Sequence, residues 1–406
     1  MNIAVIVFPG SNAETETIHA IEHVGMTAQP FLWNAPLKKI AKCDGFVIPG
    51  GASYGDKGRA GIVAAFSPVM NLIRKKIKEG KPVLGIGNGA QILLESGFLS
   101  GVALSYNQRI AYDKVVGTGF YNAWVCMRMS TKVGPNAFTL GVSSKTVFRV
   151  PVVHAQGRFC MSAKVLDALK EAGMAVFHYC DAEGEVIPAY PINPNGSIDN
   201  IAAVMNYAGN ALAVMPHIER VPQGQAIFAS MRDFLIEEEP TRVGVWSHYV
   251  PLPTVEPYQP VKHSLVVDKQ YPPHYFLSME KIVQERLGLA VNIRRYTYWD
   301  CDCSAQTMEG IISSQALVAP TETVVELTPS KEVLTLLVIE REDSIGQQKF
   351  QILANHFEVD GIKSIRRGSI WQIIAPGIKP MRQELVELGL FFNPISQICV
   401  EMFHDA

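Results

Sequence analysis

Three apolar runs, Ile3-Ala4-Val5-Ile6-Val7-Phe8, Gly45-Phe46-Val47-Ile48 and Val83-Leu84-Gly85-Ile86, each stop at a glycine turn, and amphipathic stretches separate them. Apolar strands alternating with amphipathic helices are the pattern of a doubly wound sheet, and the alternation persists to about residue 220, so the fold class is α/β. In such sheets ligands bind outside the carboxyl ends of the strands. Pro9-Gly10, Pro49-Gly50-Gly51 and Gly87 therefore mark the expected active region. Ser11-Asn12-Ala13-Glu14 reads as a capping box opening a helix with Ile18, Ala20, Ile21 and Val24 on one face. A single long helix is expected to run up to Gly80.

With 406 residues, 48% of them hydrophobic and 18% charged, the chain can bury more than one core, and its length favours two or three domains. Balanced charge, 36 Lys and Arg against 38 Asp and Glu, gives no field to gather nucleic acid or coat a membrane. A small molecule or a protein is the expected partner. Seven scattered cysteines without framework spacing, a start directly on a strand and no membrane-length apolar run point to the cytoplasm. Residues 1–235 form the expected first domain, and Glu237-Glu238-Glu239-Pro240 with Pro251, Pro253, Pro257 and Pro260 make 236–264 a proline-rich linker.

Beyond the linker the chain repeats itself. Ile293-Arg294-Arg295-Tyr296-Thr297-Tyr298-Trp299 matches Ile365-Arg366-Arg367-Gly368-Ser369-Ile370-Trp371 at an offset of 72 residues. Each copy, about 265–328 and 333–404, reads as strand-helix-strand-helix-strand, with the first helices over 275–288 and 345–357. Each is too small to bury both faces of its sheet, so the two should pack together as a smaller α+β tandem domain over 265–406.

The run Gly85-Ile86-Gly87-Asn88-Gly89 has the form of a strand-to-helix elbow. Such a turn exposes the side chain at its tip, and the first amides of the helix stabilise an oxyanion and lower a thiol's pKa there. The tip here is Gly87, which has no side chain. Gly50 and Gly51 can supply an oxyanion N–H, because no Cβ blocks approach. Downstream, His217 and Glu219 stand two residues apart; in an extended segment they share a face, where the carboxylate can orient the imidazole.

Taken in order, Val5 to Asn12, Val47 to Asp56, Ala65 to Met70, Pro82 to Glu95, His154 to Phe159, Tyr190 to Ser197, Gly209-Asn210 and Met215 to Arg220 resemble the glutaminase subunit of phosphoribosylformylglycinamidine synthase, a class I glutamine amidotransferase of flavodoxin-like fold. The resemblance implies a cysteine at the elbow that attacks the glutamine amide and releases ammonia, with His217 and Glu219 as its dyad. Here Gly87 stands in the cysteine's place, Gln156 where a His-Gly-Glu-Gly-Arg-Phe run has glutamate, and Ala13 where cysteine is common. Glycine cannot form a thioester, so glutaminase activity is expected to be absent or very low. Ile345 to Gln348, Val359 to Gly368 and Asn393 to Ile395 resemble the small bridging subunit of the same synthase, and a tandem copy would mimic its dimer.

No phosphate-binding glycine loop is present, so the resemblance places ATP and Mg on a separate large synthetase subunit and leaves this chain without a cofactor. A glutamine-binding or purely structural module, using Gly50, Gly51 and Asn88 for a carboxamide oxygen, is the alternative. Cys43, Cys126, Cys160 and Cys180 can be proposed as a substitute thiol, but Cys160 and Cys180 lie in or near strands and read as inert core residues. Cys301-Asp302-Cys303 lacks a second ligand pair for zinc, so no metal site is expected. Trp299 and Trp371 read as core or interface anchors, and Arg294, Arg295, Arg366 and Arg367 as solvated strand residues or as contacts to phosphate or an acidic partner.

Overall fold

In the computed structural model, the described residues are 1–237, 241–244, 246–247, 253–257 and 262–403. Two compact units divide the chain, Met1–Lys114 with Gly119–Val250, and Val115–Thr118 with Pro251–Ala406.

The first unit is built on β1 (Asn2–Val7), β2 (Thr27–Leu32), β3 (Gly45–Ile48) and β4 (Val83–Ile86). The short strands β5 (Ala103–Ser105), β6 (Gln108–Ala111) and β7 (Lys114–Thr118) lie outside its main sheet. The chain continues through β8 (Tyr121–Met129), β9 (Val147–His154), β10 (Arg158–Cys160), β11 (Ala175–Cys180), β12 (Ile201–Met205) and β13 (Ala211–Val214). Nine strands form one sheet in the order β2-β1-β3-β4-β13-β12-β11-β8-β9. The first five are parallel, in the flavodoxin-like order 2-1-3-4-5 with β13 as fifth strand, and the rest add antiparallel.

Strand alternation sorts β1 between two cores. Ile3 and Val5 pack with Ala20 and Ile21 of α1 (Glu14–His23), whereas Ala4 and Ile6 pack on the other face. That second face is covered by α2 (Ile62–Ala65), α3 (Pro68–Lys78) and part of α4 (Asn88–Glu95), while α5 (Ala163–Glu171) and α6 (Gln225–Glu237) pack into the first core.

Two local expectations fail. The helix after β1 has Ala13 at its N-cap with no side-chain cap, because Ser11 Oγ accepts from the Phe8 N–H at 3.0 Å instead. Ser11 is committed to a bridge with Gly51, so the chain turns back onto β3 before the helix can start. The single long helix before Gly80 is also broken, by a left-handed Gly61 ahead of α2 and by Pro68, which opens α3 with its fixed φ.

Of the linker, Glu238 to Pro240, Pro251 and Pro260 lie outside the described residues. Val255–Pro257 is a strand, β14, paired in parallel with the last strand of the chain rather than a bare connector. The second unit then runs through β15 (His263–Asp268), α7 (Leu277–Leu287), β16 (Asn292–Asp302), α8 (Ala305–Ser313) and β17 (Thr323–Val325). It continues with β18 (Val333–Glu340), α9 (Ser344–Asn355), β19 (Ser364–Ile374), α10 (Arg382–Glu387) and β20 (Gln397–Met402).

Its sheet order, β14-β20-β18-β19-β16-β15-β17, reads third-first-second for one copy against second-first-third for the other. The middle strands β16 and β19 pair antiparallel with Thr297 facing Ser369, residues 72 apart. A residue facing its own counterpart marks a local two-fold axis. Trp299 and Trp371 are buried.

Candidate functional site

Of the five parallel strands, β1, β3, β4 and β13 end in turns that converge on one side of the first sheet. After β4 the backbone reverses at Gly87, whose φ of 55° and ψ of −112° are open to glycine and strained for other residues. The Gly87 N–H donates to Val214 O at 2.8 Å, tying the elbow to the end of β13, and its carbonyl accepts from Ala90 and Gln91 in α4.

A Cβ placed on Gly87 would lie 3.3 Å from His217 Nε2 and 3.8 Å from Gly50 Cα. The absent side chain would thus meet the imidazole directly. His217 is held from the other side, with Nδ1 2.6 Å from Glu219 Oε1 and its backbone N–H on Pro151 O at 2.8 Å. A carboxylate only accepts, so Nδ1 carries the proton and Nε2 presents its lone pair. Both side chains are buried, at 5% and 0% exposure, and the pair forms at a 3-10 turn, Ile218–Arg220, not in an extended segment. Gly50 is required here, since a Cβ would come within 2.5 Å of His217 Cε1. Gly51 is bridged to Ser11.

The buried Asn88 side chain is tied to its neighbours by hydrogen bonds. Its Oδ1 accepts from Ser53 N–H at 3.0 Å and its Nδ2 donates to Gln91 Oε1 at 2.8 Å. Gln91 Nε2 reaches Gln156 O at 2.6 Å, and Gln156 Oε1 accepts from Ala60 N–H at 2.8 Å. Arg59 and Glu95 form a bidentate ion pair, 2.8 and 2.9 Å. Burial pushes the Asp56 carboxyl up to about 6. Sequence reasoning passed over Gln91 and Glu95, although Asn88, Gln91 and Glu95 recur at i, i+3 and i+7 in an otherwise apolar helix, which places them on one face.

Burial disfavours the thiolate at three of the four candidate thiols. Burial raises Cys43 and Cys126 and pushes Cys180 up to about 12, while Cys160 Sγ lies 3.4 Å from Ala103 O. Among the described residues, no group of three or more His, Cys, Asp or Glu side chains is placed to hold a metal ion. No described helix is long and apolar enough to cross a membrane.

Residues 1–234 match the CobB/CobQ-like glutamine amidotransferase domain family, more than half of the chain. The chain belongs to this family. Its glutamine amidotransferase domain is 40% identical over 259 residues to the phosphoribosylformylglycinamidine synthase subunit PurQ of Methanothrix thermoacetophila, a match covering 58% of this chain and 99% of that protein. It is 39% identical to the PurQ subunit of Methanocaldococcus jannaschii, over 58% of this chain and 98% of the relative. Among solved structures, PurLQS from Thermotoga maritima matches at 30% identity and a TM-score of 0.46, over 58% of this chain and 98% of that one.

One further histidine of the amidotransferase domain was not singled out from the sequence. His154 is 6% exposed, its Nδ1 lies 3.1 Å from Asn107 Oδ1, and its Nε2 has no partner among the described residues. Burial, reinforced by the nearby His217, pushes its pKa down to about 3. The unfolded chain takes up this proton near 6.5 and the folded one does not, so the contribution to stability is lost as pH falls below 6.5, at up to about 1.4 kcal/mol per pH unit. Asp56 opposes this, because its raised carboxyl protonates first in the folded state. A His154→Gln variant removes the histidine contribution alone. Between pH 7 and 5 its urea midpoint should fall less than that of the natural protein, and parallel curves would show that His154 is not held neutral.

Proposed function

We propose that this chain is a component of phosphoribosylformylglycinamidine synthase in de novo purine biosynthesis whose amidotransferase domain no longer hydrolyses glutamine. One observation carries the reading. An elbow with a paired His217 and Glu219 has only hydrogen at its tip, in a domain that spans 98 to 99% of two PurQ subunits. Amide hydrolysis through a thioester needs a nucleophilic atom within reach of the imidazole, and neither Gly87 nor a raised cysteine provides one.

In this reading the domain is a scaffold that covers the ammonia entrance of a separate ATP-dependent synthetase, and the nitrogen comes from free ammonia or from a second, active glutaminase. The tandem second unit takes the place of the bridging subunit, a role supported by the local two-fold at Thr297 and Ser369. ATP and Mg belong to the synthetase in this scheme.

The test mixes the purified chain with the synthetase subunit on a sizing column and assays the complex with glutamine or with ammonium as nitrogen donor. Co-elution, with product formed from ammonium and not from glutamine, is the expected result. Separate elution overturns the synthase assignment, and turnover with glutamine overturns the loss of hydrolysis.

A further inference from the structure

The two copies of the second unit differ at one corresponding place. In the second copy, Asp343 stands before α9; its Oδ1 accepts from Gly346 N–H at 2.9 Å and its Oδ2 from Arg367 N–H. Arg366 in turn pairs with Asp300, which faces it across the strands at 2.8 Å. Two carboxylates thus serve this copy, Asp300 on the Arg366 guanidinium and Asp343 on the main-chain N–H of Arg367.

In the first copy the equivalent arginines are Arg294 and Arg295. Seventy-two residues before Asp343 stands Tyr271, and the residue facing Arg294 is Gln372. Neither carboxylate has a counterpart, and neither arginine forms an ion pair among the described residues, although Arg295 donates to Ser369 Oγ at 2.9 Å and lies over the Trp371 ring at 5.0 Å.

The backbone differs as well. Counting back 72 residues from the start of α9 at Ser344 gives Pro272, yet α7 begins only at Leu277. The intervening loop carries two non-glycine residues in the left-handed region, Gln270 at φ 52° and His274 at φ 60°. It opens a cavity of about 380 Å3, lined by Tyr271, His274, Tyr275, Arg294 and Arg295 among others. That volume is in the usual range of ligand pockets, roughly 300–1,000 Å3.

Two carboxylates also line it, and each has an oxygen turned to the protein. Asp268 Oδ1 accepts from Gln270 N–H at 2.7 Å, and Glu280 Oε1 from Ile293 N–H at 3.0 Å. Tyr271 and Tyr275 stack at 4.7 Å and are half-buried, leaving aromatic surface at the cavity wall.

The geometry points to a binding site for a nucleoside phosphate in this cavity. The phosphate takes the place that Asp343 fills in the other copy, against the main-chain N–H of Arg295 and the Arg294 guanidinium, and the base lies on the Tyr271-Tyr275 pair. Planar guanidinium groups suit an oxyanion, and stacking suits any base. The site requires neither glutamine chemistry nor a synthetase, so it stands apart from the proposed function.

The full-length chain is titrated calorimetrically with AMP, GMP, adenosine and inorganic phosphate. A nucleotide should bind, with phosphate alone and adenosine alone each at least tenfold weaker. Arg294→Ala, at an exposed position, should weaken nucleotide binding at least tenfold without moving the melting temperature. Tyr271→Asp, which restores the carboxylate of the second copy, should abolish binding in a protein that still melts cooperatively. Failure of both nucleotides to bind at millimolar concentration, equal affinity for phosphate and nucleotide, or unchanged binding in both variants overturns the assignment.

Discussion

Replacing Gly87 with cysteine should give this protein a glutaminase activity on the order of 10²-fold or more above the natural chain, read as glutamate released in the presence of the synthetase. The imidazole is already aimed, since the missing Cβ would stand 3.3 Å from His217 Nε2 and Glu219 holds the opposite ring nitrogen at 2.6 Å. The departure at 156 does not break the hydrogen bonds there, because Gln156 Oε1 accepts from Ala60 N–H as a glutamate oxygen would. A cost in stability accompanies the gain, about 1–3 kcal/mol for a side chain held at positive φ. Adding His217→Ala to the cysteine variant should remove the new activity by roughly 10²–10⁴-fold. A folded cysteine variant as silent as the natural protein would show that the site has lost more than its nucleophile.

The second large effect concerns how the two turns meet. A Cβ on Gly89 would lie 1.9 Å from the Ile48 carbonyl oxygen and 2.7 Å from its carbon, both main-chain atoms of β3. No side chain can move aside, so Gly89→Ala must push the start of α4 away from the end of β3. The expected loss is about 3 kcal/mol or more, seen as a lower urea midpoint with an unchanged slope. In the Gly87→Cys background the same change should remove the gained activity, because the Gly50-Gly51 turn and the elbow would part. An unchanged midpoint would mean that the packing there has slack.

Several parts of the fold follow from local pattern alone. The strands ending at Val7, Ile48 and Ile86 follow from apolar runs stopped by glycine, and the elbow from its glycine spacing. The spacing of the tail repeat is the spacing at which β16 and β19 meet, across Thr297 and Ser369. Where a neighbour from far along the chain competes for a group, local signals misled: Ser11 would cap a helix in isolation, but β3 brings Gly51 against it.

Long-range packing supplied the rest. It joined Asn88 to Ser53, Gln91 to Gln156 and Gln156 to Ala60, pairs 35, 65 and 96 residues apart, and brought His154 close enough to His217 for their charges to interact. It also turned one of two similar copies into a cavity and closed the other around Asp343. Hydrophobic periodicity is a property of neighbours in sequence, whereas the hydrogen bond that satisfies a buried polar group depends on which distant backbone the packed sheet delivers to it.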